Sequence, residues 1–117
     1  MMGTHFDEQI RKVTTYLAQA LNPERIILFG SHAYGQPAAD SDVDLLIVMD
    51  SAERPAARAA RVSRLLRPRP FPVDILVRTP QEIEYRLEIG DEFVREILER
   101  GKVLYDRDIS GGVDTQS

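Results

Sequence analysis

The sequence of 117 residues contains no cysteine. It therefore has no disulfide framework, no thiolate metal site and no cysteine nucleophile. No segment approaches the ~18 apolar residues that a membrane-spanning helix needs. The first residues, MMGTHFDEQIRK, lack the apolar core of a secretory signal, so we expect a cytoplasmic protein with no membrane contact.

Positive charge is also limited, with 15 Lys and Arg against 19 Asp and Glu and a formal net charge of -4. This balance argues against direct electrostatic binding to nucleic acid. The length suits a single domain, and a hydrophobic fraction of 43% can fill a modest core. We expect one domain over residues 1–105, followed by a polar, flexible tail over residues 106–117.

Apolar periodicity and turn residues predict helices that alternate with short strands. The pattern predicts helices over 7–21, 51–67, 80–89 and 91–100, and strands over 25–29, 43–49, 73–77 and 103–105. This alternation indicates an α/β or α+β fold in which helices cover one sheet.

Three aspartates occupy apolar strand contexts. Asp42 and Asp44 are two residues apart, so in a strand they share one face, and Asp74 has the same context inside PVDILV. If the two strands are neighbours, the three carboxylates form one cluster that could hold two Mg²⁺ ions for in-line displacement at phosphorus. The alternative is that Asp42 caps a turn and that the other two are strand-end charges.

Residues 40–44 (DSDVD) also match the first half of a calcium-binding loop. Such a loop needs glycine at its sixth position and glutamate at its twelfth. Leu45 and Ser51 occupy these two positions, which excludes a calcium-binding loop.

A small-residue turn, Gly30-Ser31 with Gly35 four residues later, follows the first predicted strand. Backbone N–H groups in such a turn, together with a serine hydroxyl, can bind phosphate oxygens. It is not a P-loop, because no Lys-Ser or Lys-Thr pair follows the glycines. On its own the turn could simply end a strand, and its position upstream of Asp42 favours the functional interpretation.

The combination of GSHAYG at 30–35 and SDVD at 41–44 resembles the signature of the DNA polymerase β-like nucleotidyltransferase superfamily. Within it, the chain is most similar to the minimal nucleotidyltransferases, from its first helix to the ending GKVLY at 101–105. The resemblance implies a nucleotidyltransferase core, an α/β (α+β) fold with a short mixed sheet flanked by helices. It also implies a two-metal mechanism.

The resemblance also implies roles for individual residues. Asp42 and Asp44 would ligate Mg²⁺, and Asp74 would hold the metal nearest the acceptor and help to deprotonate its hydroxyl. Gly30 and Ser31 would bind the β- and γ-phosphates of a nucleoside triphosphate.

Ser41 would complete the nucleotide-binding residues. Many relatives carry arginine at the position of His32 or Tyr34, and the loss of that cation here would weaken triphosphate binding or shift it to another residue. The residues themselves leave alternatives open: His32 is a phosphate donor or an exposed turn residue, and Tyr34 stacks on a base or covers the sheet edge.

The resemblance implies transfer of AMP from ATP to a protein hydroxyl. Minimal nucleotidyltransferases are typically antitoxins that adenylylate a tyrosine of a helical HEPN-domain ribonuclease toxin, so a hetero-oligomer with such a partner is expected. Two alternatives stay open: an antitoxin that acts by contact alone, and a small-molecule enzyme similar to the aminoglycoside-modifying nucleotidyltransferases.

Charge is unevenly distributed along the chain. Residues 51–70 carry six arginines and one acid, a net +5, whereas residues 81–100 carry seven acids and three bases, a net -4. Within the basic segment, helical spacing predicts a stripe that is either solvated or a docking surface, formed by Arg54, Arg58, Arg61 and Arg64. Within the acidic segment, Phe93, Ile97 and Leu98 have the spacing of a core face.

Overall fold

The computed structural model describes residues 2–35 and 42–110, without the side chains of residues 2–6, 109 and 110. Within these ranges the helices are α1 (Met2–Leu21), α2 (Ser31–Tyr34), α3 (Pro55–Leu65), α4 (Pro80–Glu88), α5 (Glu92–Arg100) and α6 (Arg107–Ser110). The strands are β1 (Arg25–Phe29), β2 (Val43–Val48), β3 (Val73–Arg78) and β4 (Lys102–Asp106). None of the helices in the described part is long and apolar enough to cross a membrane.

The strands of the described residues form one mixed sheet in the order β3-β2-β1-β4. The β1–β2 and β1–β4 pairs are antiparallel, and the β2–β3 pair is parallel. The predicted mixed sheet flanked by helices is thus confirmed. A parallel pair needs a long crossover connection, and here α3 supplies it between β2 and β3.

Helices cover both faces of the sheet, because alternate strand residues point to opposite sides. Val13 and Leu17 of α1 and Val62 of α3 pack on one face. Ile83 of α4 and Ile97 of α5 pack on the other. Burial on both faces explains why β1 and β2 are almost continuously apolar.

The basic segment is organised differently from the predicted stripe. Helix α3 begins at Pro55 rather than at residue 51, since proline suits the first helical position. Arg58 is only 5% exposed, and its guanidinium pairs with both carboxylate oxygens of Glu82 at 2.7 and 3.0 Å. The predicted stripe of four arginines is therefore wrong at Arg58, because this residue is buried and links α3 to α4 through Glu82.

The start of α4 and the end of α5 lie where the sequence predicts them. Thr79 and Glu82 form the expected capping box, with Glu82 N–H donating to Thr79 Oγ1 at 3.1 Å. Helix α5 ends at Arg100 and is followed by Gly101, where a Cβ would overlap the carbonyl oxygen of Ile97. The prediction that Phe93 belongs to the core is wrong, because this residue is 54% exposed and its ring packs edge-on against Phe29.

The end of the described chain is paired with the sheet. Strand β4 continues to Asp106, which lies opposite Arg25, and α6 follows it. The backbone N–H of Arg107 donates to the carbonyl of Glu24 at 2.8 Å. The predicted tail therefore begins with a strand residue and a short helix; residues 111–117 lie outside the described residues, and tail flexibility stays a prediction.

Candidate active site

The parallel pairing of β2 with β3 places two of the predicted site residues side by side. Asp44 lies directly opposite Asp74 in the register. Because Leu46 and Val48 alternate in phase with Asp44 and pack beneath α4 and α5, both carboxylates lie on that face of the sheet. The condition for an acidic cluster, that the two strands are neighbours, is met.

Asp42 precedes β2 and is exposed, whereas Asp44 is half-buried. Burial, followed by the charges of Asp74 and Asp42, raises the pKa of Asp44 above its ordinary value, and nearby His32 opposes this effect. The three predicted aspartates therefore lie within electrostatic range of one another.

The glycine turn lies against the same carboxylate. Phe29, the last residue of β1, is opposite Asp44, so Gly30 leaves the sheet beside it. Gly30 has a φ of 79°, which favours glycine, and a Cβ at this position would overlap the Oδ2 atom of Asp44. Gly30 is therefore required both by its backbone conformation and by its contact with the acidic cluster.

The predicted turn after Gly30 contains a one-turn helix, α2. The N–H groups of Ala33 and Tyr34 both donate to the carbonyl of Gly30 at 3.0 Å. Ser31 is exposed at the start of this helix. Ser41, the remaining predicted nucleotide-binding residue, lies outside the described residues, and its role stays a prediction.

One basic residue of this site cannot be found from sequence motifs. The guanidinium carbon of Arg100, at the end of α5, lies 4.6 Å from the centre of the Tyr34 ring. Its Nη1 atom pairs with Glu96 at 2.8 Å. The sequence signal is only a helical Glu-Arg pair four residues apart, which says nothing about the distant glycine turn.

Tyr34 links this arginine to the turn. Burial raises the pKa of Tyr34 above its ordinary value, and a hydrogen bond from the Gly30 backbone and the positive charge of Arg100 act in the opposite direction. The negative charges of Glu96 and Asp44 raise it further. The tyrosine is therefore close to both the turn and the acidic cluster.

The three carboxylates are suited to a divalent metal by their chemistry rather than by a preformed arrangement. Among residues 2–35 and 42–110, no group of three or more Asp, Glu, His or Cys side chains is already arranged to hold an ion. The chemistry nevertheless fits Mg²⁺, because hard carboxylate oxygens are its preferred protein ligands and a cation would relieve the repulsion that raises the pKa of Asp44. A separate cavity of about 450 Å³ between α1 and β4 contains none of the three aspartates.

Comparison with known proteins identifies the class. The family model described as polymerase beta, nucleotidyltransferase matches residues 11–110, so the chain belongs to the polymerase β-like nucleotidyltransferase superfamily. Members of this family generally use nucleoside triphosphates and divalent metals.

A solved structure is similar in fold: a Sulfolobus solfataricus protein classed as a nucleotidyltransferase, with a TM-score of 0.62 and 21% identity. The match covers 86% of this chain and 80% of that one. No curated protein matches the sequence. The structural match supports the fold, and the family match supports the general transferase class.

Proposed function

We propose that this chain is a Mg²⁺-dependent nucleotidyltransferase that transfers AMP from ATP to a hydroxyl group of a protein. The observation that carries the proposal is the register of β2 and β3, which sets Asp44 beside Asp74 next to the Gly30 turn. A parallel pair with two facing carboxylates is electrostatically unfavourable unless a cation is bound. Family membership supplies the reaction class.

Each residue has a distinct task in this proposal. Asp42, Asp44 and Asp74 would hold the metal ions, which neutralise phosphate charge and polarise the α-phosphorus when bound. Gly30 and Ser31 would bind the outer phosphates. The acceptor oxygen forms a bond to the α-phosphorus, the bond to the β-phosphate oxygen breaks, pyrophosphate leaves, and Asp74 accepts the hydroxyl proton.

The accessibility of the site supports a macromolecular acceptor. Asp42 and Asp74 are both exposed, so a hydroxyl on another protein could approach them. Phe93 offers apolar surface near this end of the sheet, because its ring packs edge-on against Phe29 at 5.7 Å. The resemblance to minimal nucleotidyltransferases suggests a tyrosine of a HEPN-domain ribonuclease toxin, with this chain as its antitoxin.

Intact-mass spectrometry tests this function. Because minimal nucleotidyltransferases are typically encoded beside their HEPN-domain toxin, the product of the neighbouring gene would be incubated with the chain, ATP and Mg²⁺. We expect a mass gain in whole AMP units. The gain should be absent with Asp44→Asn and present with Asp50→Asn, a matched control at an exposed position just beyond β2.

Other outcomes would redirect the proposal. A stable complex of the two proteins without a mass gain would indicate an antitoxin that acts by contact alone. No complex and no mass gain, together with pyrophosphate release in the presence of small hydroxyl compounds, would indicate a small-molecule acceptor. Either result would contradict the protein-transfer function.

A further inference from the structure

The turn at 30–35 contains no lysine or arginine, although a triphosphate carries several negative charges. The neighbouring strands add the negative charges of Asp42, Asp44 and Asp74. A cation from elsewhere in the fold would therefore strengthen nucleotide binding here, in addition to any metal ion.

We propose that Arg100 supplies this cation and binds the triphosphate, with Tyr34 and Glu96 holding its guanidinium beside the Gly30 turn. The inference rests on the proposed function, because it assigns a further binding residue to the same site. It places a substrate contact on α5, far along the chain from the glycine and aspartate motifs.

The position of Arg100 supports this role. Its guanidinium stacks on the Tyr34 ring at 4.6 Å, and Tyr34 closes the short helix that begins directly after Gly30. The backbone N–H of Tyr34 donates to the Gly30 carbonyl at 3.0 Å, which keeps Tyr34 close to the start of the turn. Arg100 therefore contacts a residue of the same turn whose backbone would receive the phosphates.

The guanidinium is available for a ligand. The Arg100 side chain is 55% exposed and its partner Glu96 is 46% exposed, so the ion pair between them is easily reorganised. Arginine has five N–H donors, and a single contact with Glu96 leaves donors for phosphate oxygens. Stacking on Tyr34 orients the planar group and reduces the entropy lost when it binds a ligand.

Nucleotide affinity distinguishes this role from simple packing of Arg100 against Tyr34. Binding of ATP and of AMP would be measured by calorimetry in Mg²⁺ without acceptor, for the wild type and for Arg100→Gln. Arg95→Gln is the matched control, because Arg95 is an exposed arginine on the same helix with a weaker ion pair.

We expect Arg100→Gln to weaken ATP binding by about tenfold, the loss of a charge-assisted contact, with AMP affinity at the wild-type level. Arg100→Lys should retain part of the ATP affinity because it keeps the charge. Tyr34→Leu should lower the preference for ATP over AMP, since the guanidinium loses its support. The ATP affinity of Arg100→Gln should also depend less on salt concentration than that of the wild type.

Three outcomes would overturn the inference. In the first, Arg100→Gln binds ATP as well as Arg95→Gln does. In the second, Arg100→Gln weakens ATP and AMP equally, which would assign Arg100 to the nucleoside or to the fold. In the third, folded wild-type protein binds no nucleotide, and this result would contradict the proposed function as well. In the first two outcomes the wild type still binds ATP, so only the role of Arg100 would be contradicted.

Discussion

Replacement of Arg58 with methionine tests the structural role that the fold gives to this buried arginine. In addition to the two bonds to Glu82, Arg58 Nε donates to the carbonyl of Glu53 at 2.7 Å. Its Nη1 also lies 3.3 Å from the carbonyl of Val77. Methionine retains an apolar stem of similar length but removes every one of these donors.

The expected magnitude follows from the pKa of the partner. The hydrogen bonds from Arg58, with further contributions from the Thr79 backbone and nearby charges, lower the pKa of Glu82 from 4.5 to about 2. At 1.36 kcal/mol per pKa unit this corresponds to about 3 kcal/mol. Because Glu82 is 35% exposed and keeps its Thr79 contact, we expect Arg58→Met to lower the free energy of unfolding by about 2 kcal/mol.

Urea unfolding followed by circular dichroism measures this loss. The pKa of Glu82 is lower in the folded state, so its stabilising contribution is full above pH 4.5 and is lost as the pH falls towards 2. The difference between wild type and Arg58→Met should therefore be largest at pH 7 and decrease below pH 4.5. Arg61→Met is the control, since its pair with Glu53 is exposed and should contribute less than about 0.5 kcal/mol. A loss below about 0.5 kcal/mol for Arg58→Met, or one independent of pH, would refute the reasoning.

Three further predictions concern the turn, the acidic cluster and a helix cap. Gly30→Ala should abolish nucleotide transfer because its Cβ would displace Asp44. Gly90 also has a positive φ but has open space around it, so Gly90→Ala should lower stability without affecting transfer. Transfer assays and thermal unfolding of both variants check this. Asp44→Asn should abolish transfer, yet it should raise the unfolding temperature in EDTA at pH 7 because it removes a carboxylate whose charged form is disfavoured in the fold. This gain in unfolding temperature should shrink as the pH falls through the raised pKa of Asp44. An equal gain at all pH values would contradict the prediction. Thr79→Ala should cost about 1 kcal/mol in urea unfolding through loss of the capping box without changing AMP transfer, and a loss of transfer would contradict a purely structural role.

The strands and the acidic cluster are predictable from the sequence because their signals are local. Four short apolar runs bounded by turn residues give the strand positions to within one residue at each end. Each aspartate is the second residue of its strand. Asp44 and Asp74 therefore lie opposite each other once β2 and β3 pair in parallel. Local sequence also gives the capping box at Thr79.

Contacts between distant elements are not predictable in this way. Arg58 has the helical spacing of a solvated stripe, and only the approach of α4 shows that it is a buried partner of Glu82. Arg100 contacts Tyr34 because α5 packs against β1, a long-range contact that no motif encodes. Phe93 has core spacing, yet its ring packs edge-on against Phe29 at the end of β1 and remains 54% exposed.

Manganese binding followed by electron paramagnetic resonance tests most directly whether the β2 and β3 carboxylates form one metal–nucleotide site. Mn²⁺ is a suitable probe because it shares the preference of Mg²⁺ for carboxylate oxygens. With ATP present, wild type and Asp50→Asn should bind Mn²⁺ equally well. Asp44→Asn and Asp74→Asn should each bind much more weakly while remaining folded. Binding by these two variants at the wild-type level would contradict a shared site at Asp44 and Asp74.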